Sequence, residues 1–199
     1  MMTKKPVIHC VAILICFAAW SYPGNKIIRH FSLPNANGDS FSTQKQLTAK
    51  GLIVIFTCNH CPFARLYTKR INELNSRFSV LNVPLIAINS MDTLLYEDES
   101  FEMMRRKAQT DSFNFPYLHD SKQAIGRQFS AEHTPMAFVI WKEQNGWSIR
   151  YKGAIDDNGE HPELATAFVS NAVTELLNNK PVSQAETASF GCRIFYRKK

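Results

Sequence analysis

Two cysteines stand two residues apart in the stretch Cys58-Asn59-His60-Cys61, directly after an apolar run and directly before Pro62. Sulfurs at this spacing can close a disulfide and open it again. The thiolate form of Cys58 would attack a partner's sulfur, and Cys61 would resolve the mixed disulfide. A helix that starts here presents unpaired N–H groups and a partial positive charge to the first sulfur. That predicts a Cys58 pKa lowered into the range of about 3.5–7.5 found for activated thiols. His60 lies beside Cys61, and a protonated imidazole would stabilise the thiolate further. Stabilising the reduced form tilts the couple towards oxidising its partners. A purely structural role is disfavoured, because a four-residue loop gains little from cross-linking.

The flanking pattern supplies the elements that must hold this dithiol. Residues Gly51 to Thr57 (GLIVIFT) form a continuous β-branched apolar run. Apolar character on both faces predicts a central strand covered on two sides. From Pro62 onward the period becomes helical, with Phe63, Leu66, Tyr67, Ile71, Leu74 and Phe78 on one face. Proline suits a first helical turn, where its missing N–H costs little. Val83 to Asn89 (VPLIAIN) reads as a second buried strand. Strand, helix, strand makes a βαβ unit with the two strands parallel.

Ile27 to Phe41 reads as a hairpin turned by Asn35-Ala36-Asn37-Gly38-Asp39. A helix is predicted over about Glu97 to Gln109, a short extended piece over Phe115 to Leu118 and a short helix over Ala124 to Phe129. Met136 to Trp141 and Trp147 to Tyr151 read as strands joined by a turn at Gln144-Asn145-Gly146. Leu164 to Leu177 completes the pattern as an amphipathic helix. Residues 181–199 read as a polar, basic, irregular tail after a domain spanning 22–180.

Residues 1–21 read as a signal peptide. Lys4 and Lys5 precede an apolar run from Val7 to Trp20. That run is shorter than the ~20 residues a membrane span needs and matches a secretory segment. Small residues place cleavage after Ala18 or, preferably, after Ser21. Export puts the protein in the periplasm or outside the cell, where disulfides persist; an uncleaved segment would be a membrane anchor. Removal of the segment takes away Cys10 and Cys16 and leaves Cys58, Cys61 and Cys192. The net charge of the 199-residue chain is +6, with 45% hydrophobic and 20% charged residues. The basic residues form no stripe interleaved with aromatics, so nucleic-acid binding is not indicated. No internal repeat is present.

Several pieces together resemble the thioredoxin-like superfamily in its redoxin branch (alkyl hydroperoxide reductase/thiol-specific antioxidant, AhpC/TSA), peroxiredoxin-like subgroup. They are Phe31 to Asn35 with Gly38, Phe56 to Phe63 (FTCNHCPF), Thr134-Pro135, Tyr151 to Asn158 (YKGAIDDN) and Gly191 to Ile194 (GCRI). The resemblance implies an α/β thioredoxin-like fold, a central mixed sheet of four or five strands flanked by helices, with the hairpin as an N-terminal extension. It implies a cis proline at Pro135 facing the dithiol, and substrate docking by strand addition along Thr134 and Pro135. It implies thiol redox chemistry with a thiol- or disulfide-bearing substrate, a recycling partner protein and no organic cofactor.

The pattern also departs from its relatives. Peroxiredoxins carry Pro-x-x-x-Thr/Ser-x-x-Cys before their reactive thiol. Here Ile55 and Gly51 precede Cys58 at those positions, and Cys58 and Val54 precede Cys61. The GLIVIFT strand lacks the buried acid that reducing thioredoxins carry. The leading expectation is therefore a thiol–disulfide oxidoreductase with Cys58, Cys61 and His60 as the catalytic group. A peroxiredoxin-like peroxidase is the alternative. A third reading is a Cu(I) carrier in which His133 approaches the two thiols, since soft sulfur and imidazole suit that ion; its relatives use CxxxC spacing. Zinc would need a second ligand pair, and none exists. Cys192 is open between a resolving thiol for Cys58, a free thiol and an intermolecular link. Asp156, Asp157 and Asn158 read as a turn.

Overall fold

The computed structural model describes residues 26–198 apart from 145. The segment read as a signal peptide lies outside them. No helix among the described residues is long and apolar enough to cross a membrane.

The strands are β1 (Ile27–Ile28), β2 (Ser32–Pro34), β3 (Ser40–Ser42), β4 (Gly51–Phe56), β5 (Leu85–Asn89), β6 (Tyr117–His119), β7 (His133–Thr134), β8 (Met136–Glu143), β9 (Gly146–Gly153) and β10 (Cys192–Arg193). The helices are α1 (Pro62–Leu66), α2 (Thr68–Ser79), α3 (Phe101–Thr110), α4 (Ala124–Phe129) and α5 (Phe168–Leu177). Six strands form one mixed sheet in the order β1-β9-β8-β4-β5-β6. β4 lies parallel to β5 and antiparallel to β8, as the βαβ reading requires.

Every residue of β4 is buried, as its doubly apolar run predicts. Alternate side chains serve two layers. Leu52, Val54 and Phe56 join Ile86, Ile88, Phe138 and Phe129 on the face covered by α4. Ile53 and Ile55 join Ala87, Val139, Ile71, Leu74, Phe78, Val169 and Val173 on the face covered by α2 and α5. The loop bearing the cysteines therefore emerges from a strand buried along its whole length, which fixes where its sulfurs sit.

Three local expectations change. The N-terminal hairpin covers only β2 and β3; Ile27 and Ile28 instead pair with Trp147 and Ser148 and become the sixth strand. The helix after the dithiol is interrupted at Tyr67, whose side chain is buried against the sheet. The acidic stretch Glu97–Glu99 forms a separate 3₁₀ turn, with α3 starting only at Phe101. That break frees the Glu99 side chain to turn inward.

The tail is docked along the molecule. Lys152 N–H donates to Ala185 O (3.0 Å) and Ile194 N–H to Glu132 O (2.8 Å). Val182 and Ile194 are buried in the two core layers. Polar composition concealed this, because anchoring is carried by backbone bonds and two apolar side chains.

Candidate active site

Strand β4 ends at Phe56, and the chain turns through Cys58-Asn59-His60 before Cys61 caps α1 with Pro62 at its first position. The turn is held mainly through Asn59. Its side-chain amide donates to Asp98 O at 2.6 Å, and its carbonyl side-chain oxygen accepts from the Tyr117 hydroxyl at 2.9 Å. Arg65 Nε donates to its backbone oxygen at 3.2 Å. A residue that looked like a spacer between cysteines is thus the anchor of the loop.

Glu99 is the second feature that the sequence did not reveal. Its side chain is fully buried beneath the dithiol. It accepts the backbone N–H groups of Asn59 and His60 at 2.9 Å and the Asn89 amide at 2.6 Å. His60 Nδ1 lies 2.5 Å from Glu99 Oε1, and the imidazole stacks on the Tyr96 ring with centroids 4.4 Å apart. The acid missing from β4 is therefore supplied by the connection after β5. Only the 3₁₀ turn aims it here, and the run Glu97-Asp98-Glu99 reads as an ordinary solvated helix start.

This arrangement reverses the expected thiol acidity. The Cys58 thiol is pushed up to about 11, first by burial and second by the negative charge of Glu99. The Thr134 hydroxyl, the Cys61 backbone N–H and Lys107 act weakly the other way. The amides of Asn59 and His60 stabilise a carboxylate rather than the sulfur. The expected oxidising bias of the couple loses its basis, since the thiolate is disfavoured rather than held.

The sulfur pairing also differs from the expected Cys58–Cys61 bond. Cys61 is joined to Cys192, with Cα atoms 6.0 Å apart, and Cys58 is a buried free thiol. The reason is long-range strand pairing. β10 lies antiparallel to β7, with Cys192 opposite Thr134 and Arg193 opposite His133. This brings the tail's sulfur to the start of α1. Thr134 then stands amid all three sulfurs. Its hydroxyl shares a 3.0 Å hydrogen bond with Cys58 Sγ, its carbonyl oxygen lies 3.2 Å from Cys61 Sγ, and Cys192 is its strand partner. The Thr134–Pro135 peptide is cis.

Other singled-out residues fall elsewhere. His133 alternates with Thr134 on β7 and bonds Ser189 Oγ at 3.3 Å, so its ring turns away from the sulfurs. Asp156 is buried and accepts from the Tyr67 hydroxyl at 2.9 Å and Arg70 Nη1 at 2.5 Å. Asn158 O accepts from the same Arg70 nitrogen at 2.7 Å. The turn at 156–158 therefore pins α2 to the sheet. Among the described residues, Cys58, His60 and Glu99 bring possible metal-donor atoms within 4.8 Å of one another. Both Glu99 oxygens already accept hydrogen bonds from the loop amides and Asn89.

The AhpC/TSA family profile matches residues 23–159. A hypothetical protein from Sinorhizobium meliloti is 26% identical over 90% of this chain and 97% of its own, with a TM-score of 0.80. An uncharacterized conserved protein from Geobacillus kaustophilus is 26% identical over 90% of this chain and 95% of its own, with a TM-score of 0.79. The peroxidoxin BcpB of Mycobacterium tuberculosis shares the fold at 13% identity, with a TM-score of 0.56 over 77% of this chain and 93% of its own. No curated protein sequence matches the chain.

Proposed function

The chain belongs to the AhpC/TSA family, and from that premise and the geometry of its sulfurs we propose that it is a thiol–disulfide oxidoreductase. One observation carries the reading. A free thiol and a disulfide converge on Thr134, next to a cis proline at the end of a covered strand. Cys58 and Cys61 are the exchanging dithiol and Cys192 is a third participating sulfur. Exchange needs a thiol that can give up its proton beside an acceptor disulfide, and Cys58 and the Cys61–Cys192 bond lie within one loop and one strand pair.

His60 acts through Glu99. An imidazole that donates an Nδ1–H hydrogen bond to the Glu99 carboxylate presents its other nitrogen as an acceptor. The pair thereby handles the Cys58 proton during exchange. Thr134 and Pro135 dock the substrate, a protein or small molecule bearing a thiol or disulfide, and a partner protein recycles the sulfurs. Cys58 lacks the activating Pro-x-x-x-Thr/Ser-x-x-Cys motif of peroxidatic cysteines, which supports disulfide exchange over peroxide reduction.

We also propose export to the periplasm or beyond. The basic and apolar pattern of residues 1–21 supports this, as does a disulfide in the folded chain, which oxidising compartments preserve.

The test is a glutathione titration with mass mapping of every cysteine pair, run beside a hydroperoxide turnover assay and a Cu(I) titration. The reading expects reversible disulfides among Cys58, Cys61 and Cys192 and slow peroxide consumption. Fast peroxide turnover with sulfenic acid on one cysteine, or tight Cu(I) binding lost in His133→Ala, would replace it.

A further inference from the structure

The tail occupies the edge on which a substrate strand would pair. Gly191 lies flat on the cis-proline turn at φ +131, where an added Cβ would stand 2.2 Å from Thr134 O. Cys192 is bonded to Cys61. Ile194 is buried in the layer that contains Ile125, Phe129 and Ala131, and its N–H extends the pairing to Glu132 O. The flanks are tied independently. Thr187 Oγ1 accepts from Ala154 N at 3.0 Å, the Tyr196 hydroxyl donates to Ala131 O at 2.7 Å, and Arg197 Nε bonds Asp92 Oδ1 at 2.9 Å. A short segment covalently joined to the reactive loop is held by its neighbours on both sides.

Building on the oxidoreductase reading, we propose that residues 191–194 are a resident stand-in for a polypeptide substrate and that Cys58 is the internal thiol that expels them. The substrate class follows from the occupied edge. It is an extended chain with a small residue before its cysteine and an aliphatic residue two places after it. The sulfur to which the substrate bonds is Cys61.

The exchange balances without an added oxidant. The Cys58 thiolate attacks Cys61 Sγ. The Cys58–Cys61 bond forms, the Cys61–Cys192 bond breaks, and Cys192 leaves as a thiolate that takes up one proton for the one Cys58 lost. Residues 191–194 then lose their covalent hold and keep only non-covalent ones, the backbone pairing to β7 and the burial of Ile194. A substrate thiolate that takes the same register attacks Cys61 Sγ, Cys58 leaves as a thiolate, and a mixed disulfide stands where Cys61–Cys192 stood. Strand addition provides the affinity, and the apolar layer that receives Ile194 provides the selectivity.

The experiment uses the full chain, its Cys58→Ser and Cys58→Ala variants, and two synthetic peptides. One peptide carries the sequence of residues 189–197; the other has aspartate in place of the isoleucine. Both variants are first checked for native circular dichroism. Disulfides are mapped by mass spectrometry in glutathione buffer, and amide exchange at Ile194 is followed. In the wild type, the Cys58–Cys61 isomer should form, expose the Ile194 amide about tenfold or more and capture the first peptide on Cys61. Both variants should capture it about tenfold more slowly, and the aspartate peptide should be captured about tenfold less. Capture on Cys58, equal capture of the two peptides, or undiminished Ile194 protection in the Cys58–Cys61 isomer would overturn the proposal. If glutathione opens none of these disulfides, the oxidoreductase reading fails with it. Ordinary glutathione exchange with variants as fast as wild type defeats the stand-in alone.

Discussion

Replacing Cys58 by serine isolates the charge balance of the buried loop. The thiol is raised from its ordinary 9.0 to about 11, with burial the larger cause and Glu99 the next. At pH 7 the thiolate is then about one molecule in ten thousand, roughly a hundredfold scarcer than for an unperturbed thiol. The sign of the stability effect follows. The pKa is higher in the folded state, so the contribution of this group is complete below pH 9 and is lost as pH rises through 11. Between pH 8 and pH 10 the wild type should lose about 1.3 kcal/mol relative to Cys58→Ser, as linkage between those two pKa values gives. Urea unfolding of both proteins at the two pH values measures the gap. The difference in thiolate absorbance near 240 nm between them gives the midpoint directly and cancels the tyrosines. Glu99→Gln should lower that midpoint, because one of the two raising influences is gone. A wild-type midpoint below 9, or a gap that closes between pH 8 and pH 10, would show that the loop amides serve the sulfur after all.

Three further outcomes follow from the same geometry. Gly191→Ala should loosen the tail, since the new methyl would meet the Thr134 carbonyl at 2.2 Å at a φ that disfavours side chains; alkylation of Cys192 under mild reductant should speed up about tenfold or more. Asp156→Ala should cost about 3–5 kcal/mol in urea unfolding, because it leaves Arg70 buried without its carboxylate and strands the Tyr67 hydroxyl. Reducing the Cys61–Cys192 bond frees a chain separation of 131 residues, and chain entropy sets the resulting loss at about 5 kcal/mol at most; a Cys58→Ser, Cys192→Ser double variant should unfold at the same urea concentration whether oxidised or reduced.

The fold was largely legible because its signals are local. A continuous β-branched run such as 51–57 cannot face water on either side, so it had to be a central strand. The switch to helical spacing after Pro62 and the next apolar run at 83–89 then required a parallel crossover. The location of the dithiol at the strand-to-helix junction followed from the same adjacency. So did the turn residues between β2 and β3.

The protonation and pairing of the sulfurs were decided elsewhere, by contacts between residues far apart in the chain. Glu99 lies 40 positions from Asn59, and nothing in an acidic triplet reveals that one of its members turns inward. Cys192 reaches Cys61 only because two residues of a polar tail anneal to His133–Thr134, a pairing too short to leave a periodic trace. His133 and Thr134 are neighbours in sequence, yet the alternation of a strand sends one towards Ser189 and the other into the sulfurs. The sequence by itself settled which atoms could do chemistry and on which element they sit, because periodicity and turn preference act over a few residues. Only the tertiary structure decided which sulfur is bonded, which is buried and what charge lies beneath it, because desolvation and long-range strand pairing depend on what the rest of the chain brings alongside.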